Sequence, residues 1–311
     1  MKTKALLFLS AYLFGSWYPA LAQMASLAAS LGNYRSSLKV ASIEGLSVKS
    51  FSGVAFHPET QCLYVVDNDN AVIYELSVTG TLLRSISTTG FLDPEGITYQ
   101  SGDYFLLSEE GLANIVRISL PRTGSGPVAH ASGTLLNLGP DMGNSGIEGV
   151  SYRPGDKTAF AVKEISPSRL YRITFDAEGN PNAYLPDQPF SLAALEGDAA
   201  DIWALDDGNF ILVNQEKNQL IGYDSTGRPL SSLALGMSKP EGIAIDTRDE
   251  TLYIVGEPME LTVWKPMGTG LTGPRALPAR ATRSKPVYSL DGKRVKRRAP
   301  HGPPTERSFG F

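Results

Sequence analysis

Glu95-Gly96 and Glu109-Glu110 are the residues whose type and spacing first point to chemistry. They bracket an apolar, alternating segment broken by Ser101-Gly102-Asp103, which reads as strand, turn, strand. In an antiparallel pair the start of one strand and the end of the next share an edge, so the acids at the two ends come together. The unit recurs: Ser52-Gly53 leads to Asp67, Glu148-Gly149 to Lys163-Glu164, Ala200-Asp201 to Asn214-Gln215-Glu216, and Glu241-Gly242 to Gly256-Glu257. One mouth would then gather Glu95, Glu148 and Glu241 from first strands, and Asp67, Glu109, Glu164, Glu216 and Glu257 from second-strand ends. Asp201 takes the first-strand place in the fourth unit.

Carboxylates crowded in this way lower their repulsion by taking up protons, by pairing with Lys163 or Arg169, or by binding a hard cation. A donor set of oxygens alone, with Asn144 and Asn214 adding carbonyls, points to Ca²⁺ ahead of Mg²⁺ or Mn²⁺. The same pattern has a plainer reading. A recurring Glu-Gly can cap a strand start by accepting backbone N–H bonds, while the glycine lets crowded backbones approach. Both readings stand on sequence alone, with catalysis at a bound metal as a third.

Other motifs carry less. Asp67-Asn68-Asp69-Asn70 opens like a calcium loop but lacks the glycine and the distant glutamate, and reads as a hairpin turn. Gly143-Asn144-Ser145-Gly146 is followed by neither Lys-Ser/Thr nor a helical pattern, so it is no phosphate loop. No Gly-x-Ser-x-Gly elbow has a histidine partner in view. The single cysteine, Cys62, excludes an intrachain disulfide and a cysteine zinc site, and reads as a small buried hydrophobe. His57, His130 and His301 are too scattered for a histidine metal site.

The elements that must position the acids follow from the repeat. Its starts, at 53, 96, 149, 201 and 242, lie 43, 53, 52 and 41 residues apart. Each unit reads as four short strands with period-2 alternation, the signature of a propeller blade. The expected fold is all-β, a five-bladed β-propeller over residues 33–266, in which the long connections at 121–145 and 176–197 leave room for a sixth blade. The last repeat ends near Trp264-Lys265-Pro266 after three strands. The strand at 34–41 is expected to supply the fourth and close the ring, which removes an open sheet edge.

The flanks differ from this body. Lys2 and Lys4, an apolar run over 5–17 and Ala20-Leu21-Ala22 match a secretory signal, so residues 1–22 are expected to be a signal peptide and the protein exported. The run is short of the about 20 residues that span a bilayer. Residues 267–311 form a basic, Pro/Gly/Arg-rich tail; from Arg275 onward ten Lys/Arg face two acidic residues, net +8. Residues 23–274 hold 16 Lys/Arg against 30 Asp/Glu, net −14. An acidic body disfavours nucleic acid and favours cations.

Taken as a set, the repeats resemble the SdiA-regulated (YjiK-like or CarP-like) family of exported bacterial β-propellers over about residues 35–266. The resemblance rests on Leu-Asp-Pro-Glu-Gly-Ile (92–97) with Leu-Leu-Ser-Glu-Glu (106–110), and on Gly-Ile-Glu-Gly-Val-Ser-Tyr (146–152) with Ala-Val-Lys-Glu (161–164). It rests also on Lys-Pro-Glu-Gly-Ile-Ala (239–244) with Leu-Tyr-Ile-Val-Gly-Glu-Pro (252–258), and on the opening 52–60. It implies a periplasmic, extracellular or membrane-associated propeller, similar to phytase-like propellers, with a link to calcium in some relatives. No phytase signature matches residue by residue. The expected function is a binding or scaffold module of the cell envelope that takes a divalent cation at its acidic mouth, its partner a small molecule or an envelope protein. The alternative is a metal-dependent hydrolase, phytase-like or lactonase-like.

Overall fold

The computed structural model describes residues 26–268 apart from Ser166; the expected signal peptide and nearly all of the basic tail lie outside the described residues. Long apolar runs such as Phe51–His57 and Thr251–Glu257 bury both faces of their strands. This is the pattern of sheets packed on two sides. Even and odd positions then face different neighbours. Val54 and Phe56 pack with Tyr253 and Val255, whereas Ala55 between them packs with Phe105 and Leu107. Five such core clusters alternate with five sheets, and the result is a five-bladed β-propeller.

Each blade runs antiparallel from the axis outward. Blade one comprises Phe51–His57, Cys62–Asp67, Val72–Ser77 and Leu82–Thr89. Blade two comprises Pro94–Ser101, Tyr104–Glu109, Asn114–Ser119 and Thr134–Asn137. Blade three comprises Ile147–Arg153, Thr158–Lys163, Arg169–Phe175 and Pro181–Pro186. Blade four comprises Ala199–Ala204, Phe210–Asn214, Gln219–Tyr223 and Pro229–Ala234. Blade five comprises Lys239–Asp246, Thr251–Glu257 and Glu260–Pro266, and its outer strand is Tyr34–Val40 from the other end of the domain.

That outer strand pairs antiparallel from Tyr34↔Pro266 to Val40↔Leu261, as the missing fourth strand required. Two 3₁₀ turns ahead of it, Leu27–Ala29 and Leu31–Asn33, anchor it on blade four. Leu27, Ala28 and Leu31 are buried there, and the Ser231 hydroxyl donates to the Ala28 carbonyl at 2.6 Å. The long connections hold no sixth blade among the described residues. The first contains a two-residue strand, Val128–Ala129, parallel to the rim of blade one, before it supplies blade two's outer strand. The second supplies the outer strand of blade three.

At the axis the five inner strands crowd one another. A Cβ on Gly96 would lie 2.7 Å from the Glu148 carbonyl oxygen and 2.9 Å from the Gly149 Cα. Gly53 abuts Gly96 in the same way, and Gly242 abuts Gly53, so these positions admit no side chain. Blade four puts Asp201 in that place instead. Its carboxylate is fully buried and accepts the Ile243 N–H at 2.9 Å and its neighbour Ile202's at 2.8 Å, with a further backbone bond from Val150. One side chain thus joins blades three, four and five. Asp201→Ala leaves these buried donors unpaired, and is expected to cost at least about 3 kcal/mol in urea unfolding; a loss below about 1 kcal/mol would refute the staple.

Candidate functional site

A shared irregularity in the first two strands of every blade builds the mouth. In blade three Ile147 pairs with Lys163 and Gly149 with Val162, so Glu148 between them has no partner. Ala200 and Glu241 are skipped in the same way, and the register breaks at the same point in blades one and two. A bulge of this kind swings the extra residue out of the sheet. It throws Ser52, Glu95, Glu148, Ala200 and Glu241 toward the axial well, one from each blade.

The second tier is set by the same register. Asp67, Glu109, Lys163 and Asn214, which end their second strands, and Gly256, one residue before the end of blade five's, pair with the residues just before the bulges. Because strand side chains alternate, the next position faces the other way. Those next residues are Asn68, Glu110, Glu164, Gln215 and Glu257.

The residues proposed from sequence therefore part company. Asp67 turns inward, accepting the Asn70 side chain at 2.9 Å and the Tyr74 hydroxyl at 3.3 Å. Glu109, fully buried, accepts Leu92 N–H at 2.9 Å and Asn114 Nδ2 at 2.9 Å, and lies 3.1 Å from His130 Nε2. Asn214 caps its own turn by accepting the Lys217 N–H at 3.0 Å. Asp201 is the axial staple, Glu216 and Asn144 are exposed, and Arg169 lies 3.9 Å from Asp187. Lys163 donates to the Ile165 carbonyl. Glu95, Glu148, Glu164, Glu241 and Glu257 reach the mouth, joined by three groups that sequence reasoning passed over as site residues: Asp93, Glu110 and Lys239. Counting alternation from the bulge instead of matching acids by eye would have found Glu110.

The three bulge glutamates differ in what the preceding blade offers them. Asn68 Nδ2 of blade one donates to Glu95 Oε1 at 2.6 Å, and Gln215 Nε2 of blade four donates to Glu241 Oε1 at 2.6 Å. Glu148 meets a second acid instead, Glu110 of blade two, at the same tier. Carboxylate oxygens of Glu110, Glu148 and Glu164 lie within 4.8 Å of one another, as do those of Asp93, Glu95 and Glu110. Gly146 lets the chain pass directly against the Glu110 carbonyl, and its N–H donates to Glu110 Oε1 at 3.3 Å. Asp93 reaches the group from a left-handed residue, φ +52°, a conformation aspartate tolerates.

Burial dominates the electrostatics. It raises Glu95 to about 8, against hydrogen bonds from Ser52 and Asn68 and with repulsion from Asp93 and Glu241. It raises Glu110 to about 7, and Glu241 to about 7 despite Gln215 and Lys239. Glu148 rises well above the usual range, by burial and then by the charges of Glu95, Glu110 and Glu164. One atom beside this group is orphaned: Asn68 Oδ1 is buried without a hydrogen-bond partner.

Residues 26–262 match the model of the SdiA-regulated family. The chain belongs to that family. Solved structures similar to this SdiA-regulated chain include the glutaminyl cyclase of Myxococcus xanthus, with a TM-score of 0.50 at 11% identity over 75% of this chain and 95% of that one. A calcium-binding protein, regucalcin, from Agrobacterium tumefaciens strain C58 gives 0.47 at 13% identity, covering 72% and 95%. A gluconolactonase from Xanthomonas campestris gives 0.47 at 15% identity, covering 76% and 91%. What the cyclase shares with the SdiA-regulated chain at that identity is its fold.

The raised carboxyls fix a pH dependence. Each binds its proton more tightly in the folded chain than in the unfolded one, so the stability they contribute is full below about pH 4.5 and is lost as pH rises through about 7 to 8. With a chelator present, the melting temperature of this SdiA-regulated propeller should fall steadily across that window. A profile flat across it would contradict the burial of these acids.

Proposed function

We propose that this propeller is an exported binding module of the cell envelope that takes a divalent cation, Ca²⁺ by preference, at Glu110, Glu148 and Glu164, with Asp93 and Glu95 adjoining. The observation that carries the reading is the acid that replaces an amide at one position of three. Glu95 and Glu241 each have an uncharged donor from the preceding blade, and Glu148 has Glu110. Two buried carboxyls side by side must share a proton or a cation. The donors are all hard oxygens carried on two adjacent blades, two and three, which suits the irregular shell of Ca²⁺ better than the strict octahedron of Mg²⁺. The orphaned Asn68 oxygen is a further acceptor in search of a partner.

A bound cation would neutralise the trio and polarise an oxygen brought to it. Ca²⁺ takes about six to eight oxygens, so an anionic group of a small molecule or of an envelope protein would complete its shell. The export half of the reading is supported by the signal-like residues 1–22 and the acidic body. A metal-dependent hydrolase is the second reading. What favours it is Glu95, a carboxyl beside the trio that burial pushes toward its protonated form in the metal-free protein, the direction a general acid needs.

Millimolar Ca²⁺ should raise the melting temperature at pH 8, and calorimetry should give a saturable isotherm. Glu110→Gln should weaken Ca²⁺ more than ~100-fold, since even outer-shell changes cost about 10–100-fold. Glu109→Gln should lower stability and keep affinity within about tenfold, because Glu109 faces the body of the blade. Equal effects of the two substitutions on affinity, or no thermal shift with Ca²⁺, would sink the reading. Phosphoester and lactone screens of the Ca²⁺-loaded protein decide between module and hydrolase.

A further inference from the structure

The mouth already holds one cation of its own. Lys239, on the first residue of blade five's inner strand, places Nζ 2.8 Å from Glu257 Oε1 and 3.5 Å from Glu241 Oε1. These are blade five's two contributions to the acidic ring, one from each tier. Its charge also works against the burial of Glu164 and Asp198, so the ammonium is felt as far as blades three and four. Lys163, the other lysine near the ring, donates to the Ile165 carbonyl, and its charge acts on Glu164 alone among the acids of the trio.

We propose that Lys239 is the resident counter-cation of the mouth, seated where a second divalent ion would otherwise bind, so that metal is confined to the side formed by blades two and three. This rests on the cation reading of that side. Glu241 and Glu257 both turn carboxylate oxygens to one point, the Lys239 ammonium, and are a pair of hard oxygen donors across the well from the trio. What separates the halves is the ammonium. A lysine there is a tethered monovalent cation that can neither be diluted nor chelated away. It offsets one of the two blade-five charges at every calcium concentration, and a divalent ion has to displace it against the full local concentration of its own chain. Lys239 therefore sets stoichiometry and selectivity.

The test is calcium binding by calorimetry on the full chain at pH 8, unsubstituted and as Lys239→Met. Met keeps the length and apolar stem and removes the charge. Lys239→Met should bind one more Ca²⁺ per chain than the unsubstituted protein, and Lys239→Met/Glu241→Gln should lose that additional ion. Lys239→Arg, which keeps the charge, should bind as the unsubstituted chain does. With chelator present, Lys239→Met should melt lower than the unsubstituted chain at pH 8 and recover in Ca²⁺, which shows that it folds and that the released acids are the cause. The same stoichiometry in Lys239→Met and the unsubstituted chain overturns the inference, whatever the shift in melting temperature. An unsubstituted chain that binds no Ca²⁺, with one ion in Lys239→Met, upholds Lys239 as counter-cation and overturns the blade-two and blade-three site; no ion in either overturns both.

Discussion

Everything at the mouth depends on how little room there is at the axis. Five inner strands converge so closely that backbone meets backbone at Gly53, Gly96 and Gly242, where a Cβ would overlap a neighbouring strand. Regular pairing would turn side chains at these positions inward, where nothing fits. The chain solves the conflict twice over: glycine takes the crowded position, and a bulge just before it swings the preceding residue out of the ladder. The glutamates reach the well because the backbone beneath them cannot carry side chains. Structure and chemistry are thus not rival explanations of Glu-Gly. The glycine is a packing requirement, and the glutamate is what that requirement leaves free to vary, as Ser52 and Ala200 show at the same tier.

Burial then turns position into chemistry. A carboxyl in water spends most of its time ionised at neutral pH, but in this well Glu95, Glu110 and Glu241 are pushed to about 8, about 7 and about 7. Desolvation is the first cause each time, and the protein answers it differently around the ring. An amide serves Glu95, an amide and an ammonium serve Glu241, and a second acid meets Glu148. The buried mouth thus sets acid against acid on one side and is compensated on the other. Asp201, one step deeper and likewise pushed up by burial, shows another use of a buried carboxyl: its hydrogen bonds are to backbone N–H groups, and its work is to hold three blades together.

Much of this was legible in the residues. The five repeats, the strand order within a blade and the closure by the N-terminal strand follow from alternation and from a missing fourth strand, signals that depend on local pattern. The acids of the bulge were legible as well, since Glu-Gly marks them directly. The second tier was legible only in part, at Glu164 and Glu257. Asp67 and Glu109 are acids at the ends of strands, but they sit one residue short of the position that faces the well, and a single residue reverses the face. Asn68 and Gln215 carry no charge and so leave no mark in a pattern of acids, yet their role is to be neutral. Asp93 lies outside the repeat in a left-handed turn, and Lys239 lies just before a Pro-Glu-Gly that drew attention to its glutamate. Such residues are defined by neighbours from other blades, which no local pattern contains.

A perfectly repeated propeller would give five equivalent positions around its axis and no direction across the well. Ligand recognition needs that symmetry broken, and here the break is confined to side chains mounted on a nearly unchanged backbone. Moving around the second tier, Asn68, Glu110, Glu164, Gln215 and Glu257 run neutral, acidic, acidic, neutral, acidic, while Lys239 cancels the last of them. The register break that places these groups recurs in every blade, so exchanging an amide for an acid at one of them alters charge without altering scaffold. That separation lets the ring stay stable while the mouth changes. It also means that the differences between the repeats, and not the repeat itself, hold the functional information.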